Sequence, residues 1–162
     1  MQNIAKNAFC QEIVINMMNN NPSENSLQRF HEAQAGMYEI ALREIKAGRK
    51  ISHWMWYIYP QLKGLGRSPM AKHYGIENID EARAYLADNL LSARLYEAAG
   101  NLLLLDESNA VNIFGDIDAM KLRSSMTLFA ILSAKGSLFH LVLDKYFGGE
   151  MDPLTLGMLG ME

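Results

Sequence analysis

The chain has 162 residues, of which 49% are hydrophobic, and this length and composition suit one globular domain with its own core. Its 15 Lys and Arg nearly balance its 18 Asp and Glu, so the formal net charge is only −3. Such a balance supplies no broad basic surface, and it argues against a nucleic-acid polymer as the partner.

The sequence also lacks the common signatures of disulfide, metal and redox chemistry. Cys10 is the single cysteine, and neither a C-x-x-C nor an H-E-x-x-H motif is present. The four histidines show no metal-ligand spacing among themselves. We therefore expect no bound metal and no cofactor, and a reducing cytoplasm as the location.

Polar residues and Pro22 separate the first part of the chain from the rest. Ile4, Ala8 and Val14 roughly repeat on one helical face, so residues 1–21 are predicted to form an N-terminal extension, either helical or mobile. Charged residues interrupt this apolar run, which makes it a poor signal peptide. No later stretch approaches the ~18 apolar residues of a membrane helix, so we expect a soluble protein with no membrane partner.

Residues 22–162 are predicted to form a single helical domain. Its clearest helix starts at Ser26, a good N-terminal cap, and ends at Gly48, because Phe30, Ala41 and other apolar residues repeat along one face.

The next segment, residues 52–59, is aromatic and strand-like in propensity. Ser52 is nevertheless a good cap and Pro60 a good terminator, so a short helix is favoured. Residues 60–69 contain two glycines and two prolines, which predict a shaped loop, and Ser68 then caps a helix with proline in its first turn.

Four further helices are predicted by apolar periodicity, caps and stops, over residues 80–90, 91–104, 119–132 and 137–147. Asp118 is predicted to cap the third of these, after a turn at Gly115. Six or seven helices with no convincing strand pair predict an all-α fold, a compact single-domain bundle with a shaped Gly/Pro loop.

Chemistry-bearing residues are densest between positions 52 and 68. Trp54 and Trp56 could be core residues, or they could form a flat platform for a base or nicotinamide-like ring. Gln61 and Lys63 would then lie at its polar edge. His53 could transfer a proton near neutral pH, although a hydrogen-bonded structural histidine is the alternative.

A second cluster surrounds the predicted start of the 119–132 helix, next to Phe114. Lys121 and Ser125 lie about one turn apart, with Ser124 and Arg123 beside them, and such a group can hold an anion or a ribose. Asp118 could stabilise positive charge on a sugar carbon during N-glycosidic cleavage, or it could be an ordinary turn residue.

Several strings of residues resemble an uncharacterised bacterial family, domain of unknown function 1810. The resemblance spans about residues 27–157 and rests above all on Ser52-His53-Trp54-Met55-Trp56 and Ser124-Ser125-Met126-Thr127-Leu128-Phe129. It implies a mainly helical single domain whose function has not been assigned.

A fainter similarity reaches the NADAR family, whose helical domains act on ADP-ribose conjugates and ribosylated amines. Ser52-His53-Trp54, followed by Ser68-Pro69-Met70-Ala71-Lys72-x-x-Gly75, is similar to strings of that family. No Glu stands beside His53, so this similarity implies ligand binding more than catalysis.

Two functional hypotheses follow. In the first, the two clusters bind an ADP-ribose-like or other ribosylated nucleotide, with or without N-glycosidic cleavage. The catalytic residues would be His53 and Asp118. The ligand-binding residues would be Trp54, Trp56, Gln61, Lys63, Phe114, Lys121, Ser124 and Ser125. In the second, the protein is a non-enzymatic helical interaction or oligomerisation module with an aromatic core. Whether the protein is an enzyme, and whether it forms a homo-oligomer, stays open at this stage.

Overall fold

Helices of very different lengths make up the computed structural model, which describes residues 22–161. The predicted extension over residues 1–21 lies outside the described residues. Five helices have nine or more residues and four are short. In chain order they are α1 (Pro22–Lys46), α2 (Met55–Ile58), α3 (Pro69–Tyr74), α4 (Ile79–Ala87), α5 (Asn89–Leu103), α6 (Ala110–Phe114), α7 (Asp116–Ile131), α8 (Leu138–Phe147) and α9 (Pro153–Met158).

The long helix α1 forms for the reasons that its sequence gives. Phe30, Ala41 and Ile45 are buried along one face, and Gly48 adopts a positive φ of 71° just after the helix ends. The helix begins at Pro22, four residues before the predicted start at Ser26. Proline is tolerated in a first helical turn, so the helix extends through the expected cap.

Side chains cap most of the shorter helices. Ser68 accepts a hydrogen bond from Ala71 N, and Pro69 occupies the first turn of α3, as predicted. Ser137 caps α8, and Gly148 ends this helix with left-handed backbone geometry.

Two predicted caps are wrong. Helix α7 starts at Asp116, directly after Gly115 with its φ of 81°, so Asp118 lies inside the first turn rather than at the cap. Helix α2 starts at Met55, and Ser52 does not cap it; the backbone N–H of Ser52 donates to the side chain of Glu44 instead.

The core is shared by the long helices. Helix α7 packs against α6, α8 and α9, α8 also packs on α5, and α5 contacts α1 and α4. Phe114, the last residue of α6, packs edge-on against Trp54 and Tyr59, which directly flank α2. The centroid of its ring lies 6.3 Å from that of Trp54 and 6.0 Å from that of Tyr59. These contacts confirm the all-α, compact single domain that the sequence predicts.

The predicted Gly/Pro loop is tied to the chain that follows α3. Lys63 N donates to Ile76 O, and Ile76 N donates to Gln61 O, both at 2.8 Å. This short parallel bridge is the only β pairing within residues 22–161. Gly75 makes it possible, because a Cβ at that position would lie 2.6 Å from the Cα of Lys63.

None of the helices in the described part of the chain is long and apolar enough to cross a membrane. The same residues contain no group of three or more His, Cys, Asp or Glu side chains that could hold a metal ion.

Candidate functional site

A groove of about 450 Å³ lies between the Gly/Pro loop with α3 on one side and α7 with the start of α9 on the other. We call it the groove. Its lining residues are Gln61, Leu65, Gly66, Arg67, Ser68, Ala71, Ile117, Met120, Lys121, Arg123, Ser124, Asp152 and Leu154. Its volume falls within the range of small-molecule sites, roughly 300–1,000 Å³.

The charges in the groove are mainly positive. Three cations, Arg67, Lys121 and Arg123, line it together with one carboxylate, that of Asp152. Arg123 is fixed in place, because its Nε donates to Glu150 O at 3.0 Å and its Nη2 to Met151 O at 2.9 Å. Arg67 is exposed and has no polar partner among residues 22–161. The groove therefore offers an anion one free guanidinium.

The carboxylate of Asp152 is committed to the fold. Its Oδ2 accepts hydrogen bonds from Ser124 Oγ at 2.9 Å and from Thr155 Oγ1 at 2.6 Å, as well as from Thr155 N. Its backbone N–H donates to Thr127 Oγ1 at 2.9 Å. These bonds fasten the start of α9 to α7, and they leave Asp152 poorly suited to act as a free base.

Apolar side chains form the rim of the groove. Ile117 is 72% exposed, Met120 68% and Leu154 66%. Three large apolar residues so exposed along one cleft are suited to contact an apolar or aromatic part of a ligand or a partner.

A small recess of about 10 Å³ adjoins the groove, with which it shares Gln61, Ala71 and Lys121. We call it the recess. Its remaining lining residues are Met55, Trp56, Tyr59, Tyr74 and Gly75. The indole Nε1 of Trp56 is buried, and it has no hydrogen-bond partner among the described residues.

Two lysines and one aspartate form a chain of ion pairs beside the recess. Asp118 Oδ2 lies 2.9 Å from Lys50 Nζ, and its Oδ1 lies 3.2 Å from Lys121 Nζ. Lys50 also lies over the ring of Trp54, and Lys121 over the ring of Trp56, each 5.2 Å from the centroid. Asp118 therefore holds two ammonium groups against two indoles.

Glu44 fixes the segment that carries both tryptophans. It accepts hydrogen bonds from the backbone N–H groups of Ile51 and Ser52, and from Trp54 Nε1 at 3.2 Å. Burial favours a higher pKa for this carboxyl, but the three hydrogen bonds outweigh burial and hold its pKa below the ordinary value. The ionised Glu44 thus anchors residues 51–54, which lead into α2 and end two residues before Trp56.

The structure brings together about half of the predicted site. Gln61, Lys121 and Ser124 line the groove, and Trp56 lines the recess beside two of them. Asp118 contacts Lys121, which lies three residues further along α7.

The other predicted residues lie elsewhere. His53 is exposed and lines neither the groove nor the recess, and Lys63 pairs with Glu77 at 2.7 Å outside both. Trp54 is fully buried, so the paired-tryptophan platform does not form; its ring belongs to the core. Phe114 packs in the same core and also lines an open cavity of about 390 Å³ at the start of α7, together with Asp118 and with Ile117, which lines the groove as well. Ser125 is fully buried, with no partner for its Oγ among the described residues.

Sequence reasoning missed Arg67 and Asp152 as groove residues, whereas Arg123 belongs to the second predicted cluster and does line the groove. Arg67 sits in the Gly/Pro loop between Gly66 and Ser68, and an arginine in a shaped loop was a usable signal. Asp152 precedes Pro153, which signals a cap but gives no sign that the cap faces a groove.

The fold and the groove define a small all-α protein with a cationic, apolar-rimmed groove. The chain belongs to the family described as protein of unknown function (DUF1810), whose model matches residues 24–159. It is similar to the crystal structure of the conserved hypothetical protein Rv1873 from Mycobacterium tuberculosis, with 45% identity and a TM-score of 0.81, over 84% of this chain and 97% of that one. No curated protein matches the chain. The family resemblance is confirmed, and neither description names an activity.

Proposed function

We propose that the groove binds a small phosphorylated ligand of the nucleotide type. The observation that carries this proposal is the unpaired Arg67 on the same groove as Lys121 and the exposed apolar rim. Guanidinium and ammonium groups recognise phosphate oxygens, and the rim offers an apolar surface to a base or sugar. A nucleotide has both features within one molecule.

The similarity to the NADAR family supports an ADP-ribose-like ligand. Two residues of the similar string, Ser68 and Ala71, line the groove, and Gly75 lines the recess. A diphosphate with two riboses and one base also matches the groove's mixture of cations, hydroxyls and apolar residues.

Binding has more support than N-glycosidic cleavage. Cleavage of that bond requires a carboxylate that can stabilise a cationic sugar carbon. Asp152 is occupied by Ser124 and Thr155, and Asp118 is occupied by two lysines. We therefore propose a binding protein, and cleavage is a separate outcome that the same experiment detects.

Isothermal titration calorimetry with ADP-ribose, AMP and ribose 5-phosphate tests the proposal, on the full chain and on Arg67→Ala. The matched control is Arg83→Ala, because Arg83 lies on α4 outside the groove and pairs with an exposed Asp80. We expect Arg67→Ala to weaken binding about 5- to 10-fold, equivalent to roughly 1–1.4 kcal/mol, and Arg83→Ala to leave it unchanged.

Mass spectrometry of each incubated ligand then reports whether a glycosidic bond is cut. If a ligand binds equally well to both arginine variants, its assignment to the groove fails. If no ligand of the panel binds, the ligand-binding proposal fails. The exposed rim would then favour the interaction-module hypothesis, in which the groove receives a partner protein.

We also propose the reducing cytoplasm as the location. The lone Cys10 supports this, because a single cysteine cannot form a disulfide within the chain and therefore does not require an oxidising compartment. Size-exclusion chromatography with light scattering tests whether the chain forms a homo-oligomer.

A further inference from the structure

Trp56, which lines the recess, carries a hydrogen-bond donor that the described fold does not use. Trp56 Nε1 is buried without a hydrogen-bond partner among residues 22–161, and a buried N–H that lacks an acceptor destabilises the state in which it is unpaired. The chain's other tryptophan, Trp54, gives its indole N–H to Glu44. The contrast between the two indoles points to an acceptor that Trp56 meets in another state of the protein, such as a liganded one.

Lys121 supplies further donors at the same place. An ammonium group carries three N–H donors, and Lys121 gives one to Asp118 Oδ1. Asp118 also pairs with Lys50 through its other oxygen, so the charge of this carboxylate is shared between two lysines. Lys121 is thus held over the Trp56 ring with donors left for an incoming anion.

The size of the recess limits what can enter it. About 10 Å³ is roughly the space that one water-sized group needs, so a single oxygen atom fits and a whole phosphate does not. Gln61 and Ala71 belong to both spaces, so an atom in the recess stays connected to a ligand in the groove.

We infer that the recess receives one phosphoryl oxygen of the ligand in the groove, with Trp56 Nε1–H and Lys121 Nζ as donors. This inference rests on the proposed function and adds to it the atom that the site recognises. Because a neutral nucleoside lacks that oxygen, the recess selects phosphorylated ligands over their nucleosides.

Nuclear magnetic resonance of the indole N–H groups tests this directly on the full chain labelled with ¹⁵N-tryptophan. The chain contains two tryptophans, so two indole signals are expected, and Trp56→Phe assigns them. On addition of AMP we expect the Trp56 signal to move downfield, while the Trp54 signal, already bonded to Glu44, stays in place. Adenosine should not produce the downfield shift.

Affinities provide the second readout. Trp56→Phe keeps an aromatic ring but removes the N–H donor, and Lys121→Gln removes the charge; each should weaken AMP binding about 5-fold or more and leave adenosine binding unchanged. Lys63→Gln is the control, since Lys63 lies outside the groove and the recess. Adenosine 5′-carboxylate separates recognition of phosphate from recognition of any anionic oxygen, and binding equal to that of AMP overturns the assignment to a phosphoryl oxygen.

Failure of this inference and failure of the proposed function are distinguishable. If AMP binds, depends on Arg67 and leaves the Trp56 signal unmoved, the recess is not the phosphate site and the groove alone binds. If AMP, ADP-ribose and ribose 5-phosphate all fail to bind, both proposals are overturned.

Discussion

The ammonium of Lys121 lies over the indole of Trp56, with Nζ 5.2 Å from the ring centroid. Lys121 lies on α7 and Trp56 on α2, so the two residues are 65 positions apart in the chain. The ion pair with Asp118 holds the lysine in this place. Because Lys121 also lines the groove, the ion pairs that stabilise the start of α7 also set the charge that a ligand meets. The proposed function therefore predicts that stability and ligand binding are coupled at this position.

Asp118→Asn should destabilise the protein by about 1–3 kcal/mol, because it leaves the mostly buried ammonium of Lys50 without its carboxylate. Urea unfolding measures the change. The control is Asp80→Asn, whose pair with Arg83 is exposed and should contribute no more than about 0.5 kcal/mol. Equal losses of unfolding free energy would mean that the pair of Asp118 with Lys50 contributes no more to stability than an exposed ion pair does.

Helices were predictable from this sequence, whereas the site was only partly so. Apolar periodicity, Ser68, Ser137 and Gly148 define most of the helices, since a cap or a stop acts through its own local backbone. Whether Trp54 or Trp56 lines the recess depends on where α2 begins, which is at Met55 and not directly after Ser52. The backbone N–H of Ser52 bonds Glu44, a residue of α1. Contacts between residues that are distant in sequence, such as Asp118 with Lys50, leave no local pattern that a single sequence reveals.

Glu44 should make the stability of the protein depend on pH in the acid range. Its pKa in the folded protein lies below the ordinary value of 4.5, so its ionised form contributes stability that is complete above that pH. This contribution is lost as the pH falls through the lower, folded-state pKa. Glu81 and Asp88 have lowered pKa values for similar reasons, since hydrogen bonds outweigh burial at each, and they add to the same trend.

Glu44→Gln removes one part of this dependence. We expect a loss of about 1–3 kcal/mol at about pH 7, because Trp54 and the 51–52 backbone lose a charged acceptor, and a shallower decline of stability below about pH 4.5. Urea unfolding over a pH series gives both quantities. Glu77→Gln is the control, because Glu77 is exposed and pairs only with an exposed Lys63. An unchanged acid slope in Glu44→Gln would assign the pH dependence to the other two carboxyls.

Gly75→Ala should destabilise the protein by about 1–3 kcal/mol. The new Cβ would lie 2.6 Å from the Cα of Lys63, so the 61–63 backbone would have to move away from Ile76. Gly36 is the matched control, since it is exposed within α1 and a Cβ there meets nothing within 4 Å. Gly36→Ala should stabilise the helix by about 0.5–1 kcal/mol. Thermal unfolding distinguishes the loss of stability expected for Gly75→Ala from the gain expected for Gly36→Ala. A gain of stability in Gly75→Ala would contradict the described bridge.

His53→Ala should change neither stability nor ligand binding. His53 is exposed, lies outside the groove and the recess, and its side chain has no polar partner among residues 22–161. Unfolding free energies within about 0.5 kcal/mol of the unmodified chain are expected, as for most surface substitutions. Calorimetric titration with ADP-ribose should give an unchanged Kd.

Gln61→Ala is the matched groove variant for this comparison. Gln61 lines both the groove and the recess, and its side-chain amide has no polar partner among the described residues, so it is free to bond a ligand. Loss of one such hydrogen bond corresponds to about 1 kcal/mol, or roughly a 5-fold weaker Kd for ADP-ribose. The reverse result would be loss of binding in His53→Ala and unchanged binding in Gln61→Ala. It would place the ligand on the exposed surface around His53 and not in the groove, because each variant changes one side chain only.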